Sequence, residues 1–186
     1  MTRTLILGGA RSGKSRHAEA CAAASGKTVI YLATAQAHDA EMIARIELHQ
    51  QQRSRQWTTI EEPLALGDMI ERHSTPDTVI LLDCLTLWLS NLLFSETAEG
   101  AIDFPEIGTI VPPACFHEQR TKFLHALQHA KGDVILVSNE VGTGIVPIGA
   151  VSRWFVDEAG RLNQEVAAMC ERALLIVAGL PLTLKG

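Results

Sequence analysis

The residues from position 8 to position 15 have the types and spacing of a site that binds phosphate groups. They read Gly-Gly-Ala-Arg-Ser-Gly-Lys-Ser and fit the P-loop pattern G-x-x-x-x-G-K-[ST]. Glycines let the backbone N–H groups of such a loop curl around a phosphate, and the lysine reaches the outer phosphates. We therefore predict a nucleoside triphosphate site, with a glycine turn that merely opens a helix as the alternative. The residues of the predicted triphosphate site are Gly8, Gly9, Ala10, Arg11, Ser12, Gly13, Lys14 and Ser15.

A second candidate for phosphate chemistry is Asp83, which ends the apolar run Val79-Ile80-Leu81-Leu82. A carboxylate at the end of a buried strand is the Walker B pattern, and in nucleotide-binding proteins it holds the magnesium ion. Many buried strands end in aspartate, so this pattern alone is a weak signal. The P-loop in the same chain makes the Walker B interpretation stronger. We predict that Ser15 and Asp83 are Mg²⁺ ligands.

His49 is the most informative histidine. It follows Ile46 by three residues and so continues the apolar stripe that Met42, Ile43 and Ile46 predict for a helix. The residues alone leave two interpretations open, a packed core histidine or a catalytic one. A neutral imidazole is a competent nucleophile near pH 7.

Other polar groups carry weaker signals. His125 and His129 have the i, i+4 spacing of a helical metal site, but no third ligand is evident, which favours a pair of surface histidines. Arg153, Asp157 and Arg161 have the spacing of an exposed ion-pair ladder on a long helix. Arg161 and Asn163 could instead face a phosphate or a neighbouring subunit.

The elements that must position these residues alternate between strand and helix along the chain. Most strand candidates are unbroken apolar runs, which is typical of parallel strands covered on both faces. They are predicted at Thr4–Leu7, Thr28–Leu32, Thr58–Ile60, Thr78–Leu82, Val134–Ser138 and Leu174–Ala178. The alternation predicts an α/β fold with a mostly parallel central sheet and helices on both faces. Leu182–Leu184 could add an antiparallel edge strand at the C-terminus.

Active sites in such sheets lie at the carboxyl ends of the strands. Polar residues follow the predicted second strand at Thr34, Ala35 and Gln36, and the third at Glu61 and Glu62. Residues 96–117 break the rhythm with two glycines and three prolines, which predicts an irregular surface excursion. With no linker evident, we expect residues 1–186 to form a single domain.

Composition limits the possible classes of protein. The chain has 186 residues, 16 of them basic and 21 acidic, for a net charge of −5, so no electrostatic footprint for nucleic acid is visible. No apolar run approaches the ~18 residues of a membrane span, and the sequence starts directly with a strand, so we expect no signal peptide. The four cysteines form no CxxC pair, which favours reduced thiols in a cytoplasmic protein.

Taken in order, these stretches resemble one family, the bifunctional adenosylcobinamide kinase / adenosylcobinamide-phosphate guanylyltransferases of cobalamin biosynthesis. The resemblance covers nearly the whole chain except the excursion. The matching stretches are residues 8–15, 33–36, 45–57 at Arg45, Ile46, His49, Arg53 and Trp57, then 61–63, 83–91, 139–147 and 157–164. The P-loop occurs in many families, whereas residues 139–147 and 160–164 are far more specific.

The resemblance implies a RecA-like P-loop NTPase fold and two reactions that use ATP or GTP. In the first, a nucleoside triphosphate phosphorylates adenosylcobinamide. In the second, GTP donates GMP to adenosylcobinamide-phosphate through a GMP–histidine intermediate, with His49 at the matching position. The resemblance also implies a homotrimer. It places further nucleotide contacts at Thr34, Ala35, Gln36, Gln50, Gln51, Gln52, Arg53, Glu61 and Glu62.

Two alternatives stay open at this point. The chain could be a monofunctional P-loop kinase of a small metabolite, in which case His49 would only pack. It could also be a RecA-like ATPase or nucleotide switch stimulated by nucleic acid, although the negative net charge argues against that class.

Overall fold

A computed structural model describes residues 1–35, 57–95 and 109–186. Its strands are β1 (Arg3–Gly8), β2 (Thr28–Ala33), β3 (Thr58–Glu61), β4 (Thr78–Asp83), β5 (Asp133–Asn139), β6 (Arg172–Val177) and β7 (Leu180–Lys185). Its helices are α1 (Lys14–Ala24), α2 (Leu66–His73), α3 (Leu85–Leu93), α4 (Ala114–Gln128) and α5 (Ala150–Met169). Among the helices in these ranges, none is both long and apolar enough to cross a membrane.

The strands form one sheet in the order β3-β2-β4-β5-β1-β6-β7. Every neighbouring pair is parallel except β6 and β7, which are antiparallel. The predicted mostly parallel sheet with an antiparallel edge strand is therefore confirmed. Because β1 to β6 run the same way, their carboxyl ends meet at one edge of the sheet.

Both faces of the sheet are covered, which explains the unbroken apolar runs of the strands. Successive side chains of a strand point to opposite faces. On one face, Ile6 and Val79 join a buried cluster with Ala18 and Ala22 of α1. On the other, alternate strand residues join a larger cluster with buried side chains of α2, α3, α4 and α5, such as Trp88.

A tight turn joins β6 to β7. Ala178 has φ +52° and Gly179 has φ +80°. A two-residue hairpin of type I′ requires positive φ at both central positions, and glycine adopts it without steric cost. The turn replaces the predicted strand end at Ala178, and the whole of β7 is longer than the predicted Leu182–Leu184.

The predicted excursion ends earlier than expected. Its last four residues form the first turn of α4, which begins at Ala114 directly after Pro113. Phe116 is fully buried, and its ring centroid lies 5.1 Å from that of Trp154. The prolines suggested irregular structure, but proline is also favoured at the start of a helix, where its missing N–H costs nothing. Residues 96–108 lie outside the described ranges.

Candidate active site

The predicted polar residues in the described ranges gather at the carboxyl edge of the sheet. The P-loop leaves β1 at Gly8, Thr34 follows β2, Glu61 ends β3 and Asp83 ends β4. β1 and β4 flank β5 on opposite sides, with Gly8 paired to Asn139 and Asp83 paired to Val137. The fold thus brings the P-loop and Asp83 to the same edge of the sheet, with only β5 between their strands.

The P-loop is held in shape by backbone hydrogen bonds. Ser12 N–H donates to the Gly9 carbonyl at 3.2 Å, and the Lys14 ammonium donates to the same oxygen at 3.3 Å. The N–H of Gly179, in the β6–β7 turn, donates to the Ser12 carbonyl at 2.8 Å. The β6–β7 turn therefore stabilises the P-loop through a backbone hydrogen bond. The Lys14 ammonium folds back onto the backbone of the same loop.

Two glycines of the loop are needed for different reasons. A Cβ on Gly8 would lie 2.4 Å from Ser12 Oγ and 2.8 Å from the Ile176 carbonyl oxygen, so no side chain fits there. Gly13 has φ +94°, and a Cβ there would lie 3.2 Å from the Gly179 Cα. Glycine is thus needed at position 8 because neighbouring atoms leave no room for a side chain, and at position 13 because the backbone is left-handed there.

Asp83 is oriented by Tyr31, a residue that sequence reasoning missed. The Tyr31 hydroxyl donates to Asp83 Oδ2 at 2.9 Å, and Tyr31 is only 2 % exposed. The sequence signal for this contact was a tyrosine within the apolar run of β2, the strand that pairs with β4, which ends in Asp83. Within the described ranges, no donor contacts Asp83 Oδ1, which leaves a carboxylate oxygen for a cation.

Thr34 joins the ends of β2 and β4. Its hydroxyl donates to the Cys84 carbonyl at 2.9 Å and accepts from the Cys84 N–H at 2.8 Å. Its own N–H donates to the Asp83 carbonyl at 3.1 Å. Thr34 is fully buried, so its side chain fixes backbone beside the Walker B position.

The Cys84 thiol is not suited to be a nucleophile. Burial raises its pKa, and the Asp83 carboxylate raises it further, while hydrogen bonds with the Thr86 side chain and the Leu87 backbone, and then the Lys14 charge, offset part of the rise. A thiol with a raised pKa is mostly protonated near neutral pH and therefore unreactive.

Asn91 of α3 connects the ends of β2 and β3. Its amide nitrogen donates to the Thr34 carbonyl at 2.8 Å and to the Pro63 carbonyl at 3.2 Å. On the other side of β4, the Asn139 amide donates to the Thr86 hydroxyl at 2.6 Å. Side-chain amides thus fix the spacing of the strand ends beneath the site.

The two candidate glutamates have different surroundings. Glu62 Oε1 accepts the N–H groups of Leu64 and Ala65, both at 2.9 Å, just before α2 begins. The Glu61 side chain is exposed at the end of β3, and no donor within the described part of the chain contacts it. Within the described part of the chain, both oxygens of Glu61 are thus without a donor, whereas Glu62 has one oxygen engaged by the backbone.

Several predicted site residues lie outside the described ranges. They are Gln36, His49, Gln50, Gln51, Gln52 and Arg53. The chain enters this segment after Ala35, at the same edge of the sheet as the P-loop.

His125 of α4 and His129, which directly follows the helix, are both exposed. The His125 and His129 ring centroids lie 4.3 Å apart, and His125 Nδ1 is 3.7 Å from Glu71 Oε1. No group of three or more potential metal ligands was found where the chain is described. The interpretation as surface histidines fits this geometry.

The predicted ladder on α5 does not form. Arg161 pairs with Glu158, three residues before it, and Arg153 donates to the carbonyls of Pro147 and Ile148. Glu158 is 8 % exposed and also binds Arg120 at 2.8 Å. This buried carboxylate, and not that of Asp157, is therefore the partner of Arg161. Spacing alone could not reveal these partners.

Solved structures that share this architecture include ATPases. One is a type III secretion system ATPase of pathogenic bacteria, with a TM-score of 0.56 at 15 % identity over 98 % of this chain and 56 % of that one. Another is the ATP synthase subunit NeqB of Nanoarcheaum equitans, with a TM-score of 0.53 at 12 % identity over 94 % of this chain and 46 % of that one. At these identities the likeness shows the fold alone, and it confirms the predicted RecA-like P-loop NTPase fold.

The sequence has much closer relatives. The bifunctional adenosylcobalamin biosynthesis protein CobP of Pseudomonas aeruginosa is 48 % identical over 99 % of this chain and 98 % of its own length. The corresponding protein CobU of Escherichia coli is 41 % identical over 97 % of this chain and 98 % of its own length. A family model described as cobinamide kinase / cobinamide phosphate guanyltransferase matches residues 4–184. The chain therefore belongs to the cobinamide kinase / cobinamide phosphate guanyltransferase family.

Proposed function

We propose that this chain catalyses two reactions on one corrinoid. It phosphorylates adenosylcobinamide with a nucleoside triphosphate and then transfers GMP from GTP to adenosylcobinamide-phosphate, which gives adenosylcobinamide-GDP and pyrophosphate. The observation that carries the proposal is the placement of the P-loop, Asp83 and Glu61 at the same carboxyl edge of the sheet, where the chain also enters the segment with His49. Family membership supports both activities.

In the kinase step, the aminopropanol hydroxyl oxygen bonds to the γ-phosphorus while the bond from that phosphorus to the β-bridging oxygen breaks. The nucleoside diphosphate leaves, and the proton of the hydroxyl passes to solvent water. The negative charge that grows on the phosphate oxygens faces the loop N–H groups and the Lys14 ammonium. Such preorganised donors are the main source of rate enhancement in phosphoryl transfer.

In the guanylyl step, a neutral nitrogen of His49 attacks the α-phosphorus of GTP, and pyrophosphate leaves. The phosphate of adenosylcobinamide-phosphate then displaces the imidazole and takes the GMP. A histidine is suited to this role because its imidazole is largely neutral, and hence nucleophilic, near pH 7. The same P-loop would hold the β- and γ-phosphates as they depart.

Guanine recognition is assigned to Glu61. A carboxylate accepts hydrogen bonds from the guanine N1–H and the exocyclic amino group, and adenine lacks that pair of donors. The Glu62 carboxylate already accepts two backbone N–H groups at Oε1, which holds its side chain against the turn before α2. The exposed Glu61 supports the choice, while Gln50, Gln51, Gln52 and Arg53 are proposed as further nucleotide contacts from the family resemblance.

Ser15 and Asp83 would hold the Mg²⁺ ion of the bound nucleotide. A serine hydroxyl and an ionised carboxylate are the hard oxygen donors that this ion prefers. Tyr31 fixes one oxygen of Asp83 at 2.9 Å and leaves the other for the cation. When bound, magnesium neutralises charge on the phosphate oxygens.

The assembly and compartment are also proposals. The family resemblance supports a homotrimer, which sedimentation equilibrium would test. The cysteines at 21, 84, 115 and 170 are all free thiols, which supports a reducing compartment such as the cytoplasm. The net charge of −5 supports small-molecule partners rather than nucleic acid.

Covalent labelling tests the guanylyl mechanism. The protein is incubated with α-labelled GTP and denatured, and the stability of the label is measured in acid and in alkali. We expect an acid-labile, alkali-stable label that is lost in His49→Ala and kept in His125→Ala, the matched change at an exposed histidine. Label that survives in His49→Ala would refute the histidine assignment, and absence of label on the wild type would favour a monofunctional kinase.

Nucleotide hydrolysis in the absence of the corrinoid substrate tests the alternative of a RecA-like ATPase. Nucleotide hydrolysis is measured with and without adenosylcobinamide and with and without DNA. We expect turnover that depends on the corrinoid and does not respond to DNA. Turnover stimulated by DNA in the absence of the corrinoid would instead support a RecA-like ATPase.

A further inference from the structure

The segment after β5, residues 141–148, exposes apolar side chains beside the nucleotide site; we call it the β5 loop. Ile145 is 98 % exposed, Ile148 95 % and Val146 73 %. Exposed apolar side chains scattered singly need no explanation, but a contiguous group usually marks a binding surface. The sequence Val-Gly-Thr-Gly-Ile-Val-Pro-Ile has no charged residue.

The β5 loop lies next to the P-loop. Glu140, the residue that introduces it, donates its N–H to the Gly8 carbonyl at 3.1 Å. Gly8 is also paired with Asn139 in the sheet. A molecule resting on the β5 loop would therefore stand beside the phosphates held by the P-loop.

The loop is anchored at both ends. Glu140 Oε1 accepts the Gly142 N–H at 2.8 Å, and Arg153 of α5 donates to the Pro147 carbonyl at 3.2 Å and to the Ile148 carbonyl. These bonds hold the backbone, so the outward apolar side chains form a surface that exists before a ligand arrives. Preorganised surfaces pay less entropy on binding.

A gap on α5 continues this surface. A Cβ on Gly142 would lie 3.9 Å from Val156 Cγ1, which places α5 against the loop, whereas a Cβ on Gly160 would meet nothing within 4 Å. Val156, Gly160 and Asn163 follow one another on the same stripe of the helix. Asn163 is 7 % exposed, and its Oδ1 has no hydrogen-bond partner in the described part of the protein.

Glycine in the middle of a helix is less favourable than alanine, so its presence there calls for a reason. The space at Gly160 and the unpartnered buried oxygen of Asn163 both point to a ligand that approaches α5 here. We propose that the β5 loop and the gap at Gly160 form the binding surface for the corrinoid acceptor.

The chemistry of this acceptor fits the surface. A corrinoid is a large macrocycle with apolar faces and edges, surrounded by uncharged carboxamide arms. The apolar side chains of the loop suit the macrocycle, and the amide of Asn163 suits a carboxamide N–H. Docking there would bring the aminopropanol arm towards the γ-phosphate. The inference rests on the proposed function, because it presumes that the acceptor is adenosylcobinamide.

Kinase kinetics test the proposal. Ile145→Ser and Ile148→Ser are compared with wild type, and Leu182→Ser on β7, 57 % exposed, is the matched control. Burial of such side chains is worth enough that we expect the KM for adenosylcobinamide to rise about tenfold or more in the loop variants. The KM for the nucleotide and the kinetics of Leu182→Ser should stay unchanged.

A second variant guards against a folding artefact. Gly160→Leu improves helix propensity and meets open space, so its Tm should not fall, yet the side chain would fill the gap and raise the same KM. Unchanged acceptor KM values in all three variants would overturn the proposal. So would loop variants that lose affinity only because the assembly dissociates, as measured by light scattering, since the surface would then contact a second copy. A wild type that does not phosphorylate adenosylcobinamide would refute the proposed function instead.

Discussion

Glu61 and Glu62 are neighbours in the sequence, but the fold gives their carboxylates different tasks. Glu62 accepts the N–H groups of Leu64 and Ala65 at the start of α2, and Glu61 is exposed at the end of β3. The sequence could not distinguish them, because only the three-dimensional course of the chain decides which side chain turns back to the backbone. Their substitutions should therefore fail in different assays.

We expect Glu61→Gln to raise the KM for GTP about tenfold or more in guanylyl transfer, because an amide cannot replace the carboxylate as a double acceptor. The Tm should stay near that of wild type. Glu62→Ala should instead lower the free energy of unfolding by about 1 kcal/mol through the lost backbone hydrogen bonds. Steady-state kinetics and urea denaturation of both variants would check this. The reverse pattern would assign guanine recognition to Glu62.

Lys14 and His49 should separate the two reactions. Because both reactions need the triphosphate to be held, Lys14→Ala should slow both by roughly 10² to 10³. His49→Ala should abolish guanylyl transfer and spare the kinase, since only the second reaction uses the imidazole. Separate assays of adenosylcobinamide-phosphate and adenosylcobinamide-GDP formation measure the two steps. Guanylyl transfer that survives in His49→Ala would contradict the mechanism.

At the scale of elements, α3 holds two strand ends in place. The Asn91 amide spans the carbonyls of Thr34 and Pro63, so β2 and β3 deliver their polar residues to the site at a fixed spacing. Thr34 also lies one residue before Ala35, after which the chain enters the segment that contains His49. The geometry of the site thus depends on a residue that touches no substrate in the proposed reactions.

We expect Asn91→Leu to lower the free energy of unfolding by about 1–3 kcal/mol, because both carbonyls lose a donor while the volume is nearly kept. Ser90→Ala is the control, since the Ser90 hydroxyl makes no hydrogen bond within the described residues. Urea denaturation gives the difference. Equal stability of the two variants would show that water replaces the amide at little cost.

The elements also show what could be predicted. The strands were predictable because burial on both faces leaves unbroken apolar runs. The start of α4 was not, because Pro112 and Pro113 are compatible with a loop and with a helix start. In the site, the P-loop and Asp83 follow from local patterns, whereas Tyr31 does not, because its hydroxyl reaches Asp83 across 52 residues of sequence. Contacts between elements leave little trace in local spacing.

At the scale of the whole molecule, the edge of the sheet opposite the site contributes to stability through an ion pair. Arg3, at the start of β1, binds Glu171, just before β6, at 2.6 Å, and the Arg3 N–H donates to the same carboxylate at 2.6 Å. The hydrogen bond from the Arg3 side chain lowers the pKa of Glu171 to about 2. The pair joins two neighbouring strands far from the nucleotide.

This shift makes stability depend on pH. The folded state favours the ionised carboxylate, so the stabilisation is complete above the ordinary glutamate pKa of about 4.3 and is lost as the pH falls towards 2. Because the Glu171 side chain is 44 % exposed, solvent screening limits the effect to about 1 kcal/mol or less. Glu171→Gln should therefore be less stable than wild type at pH 7 by that amount, and the gap should close between pH 5 and pH 2. Urea denaturation across this range measures the gap, with kinase activity at pH 7 as the control. A constant gap at every pH would mean that the side chain acts by packing or neutral hydrogen bonds instead of by charge.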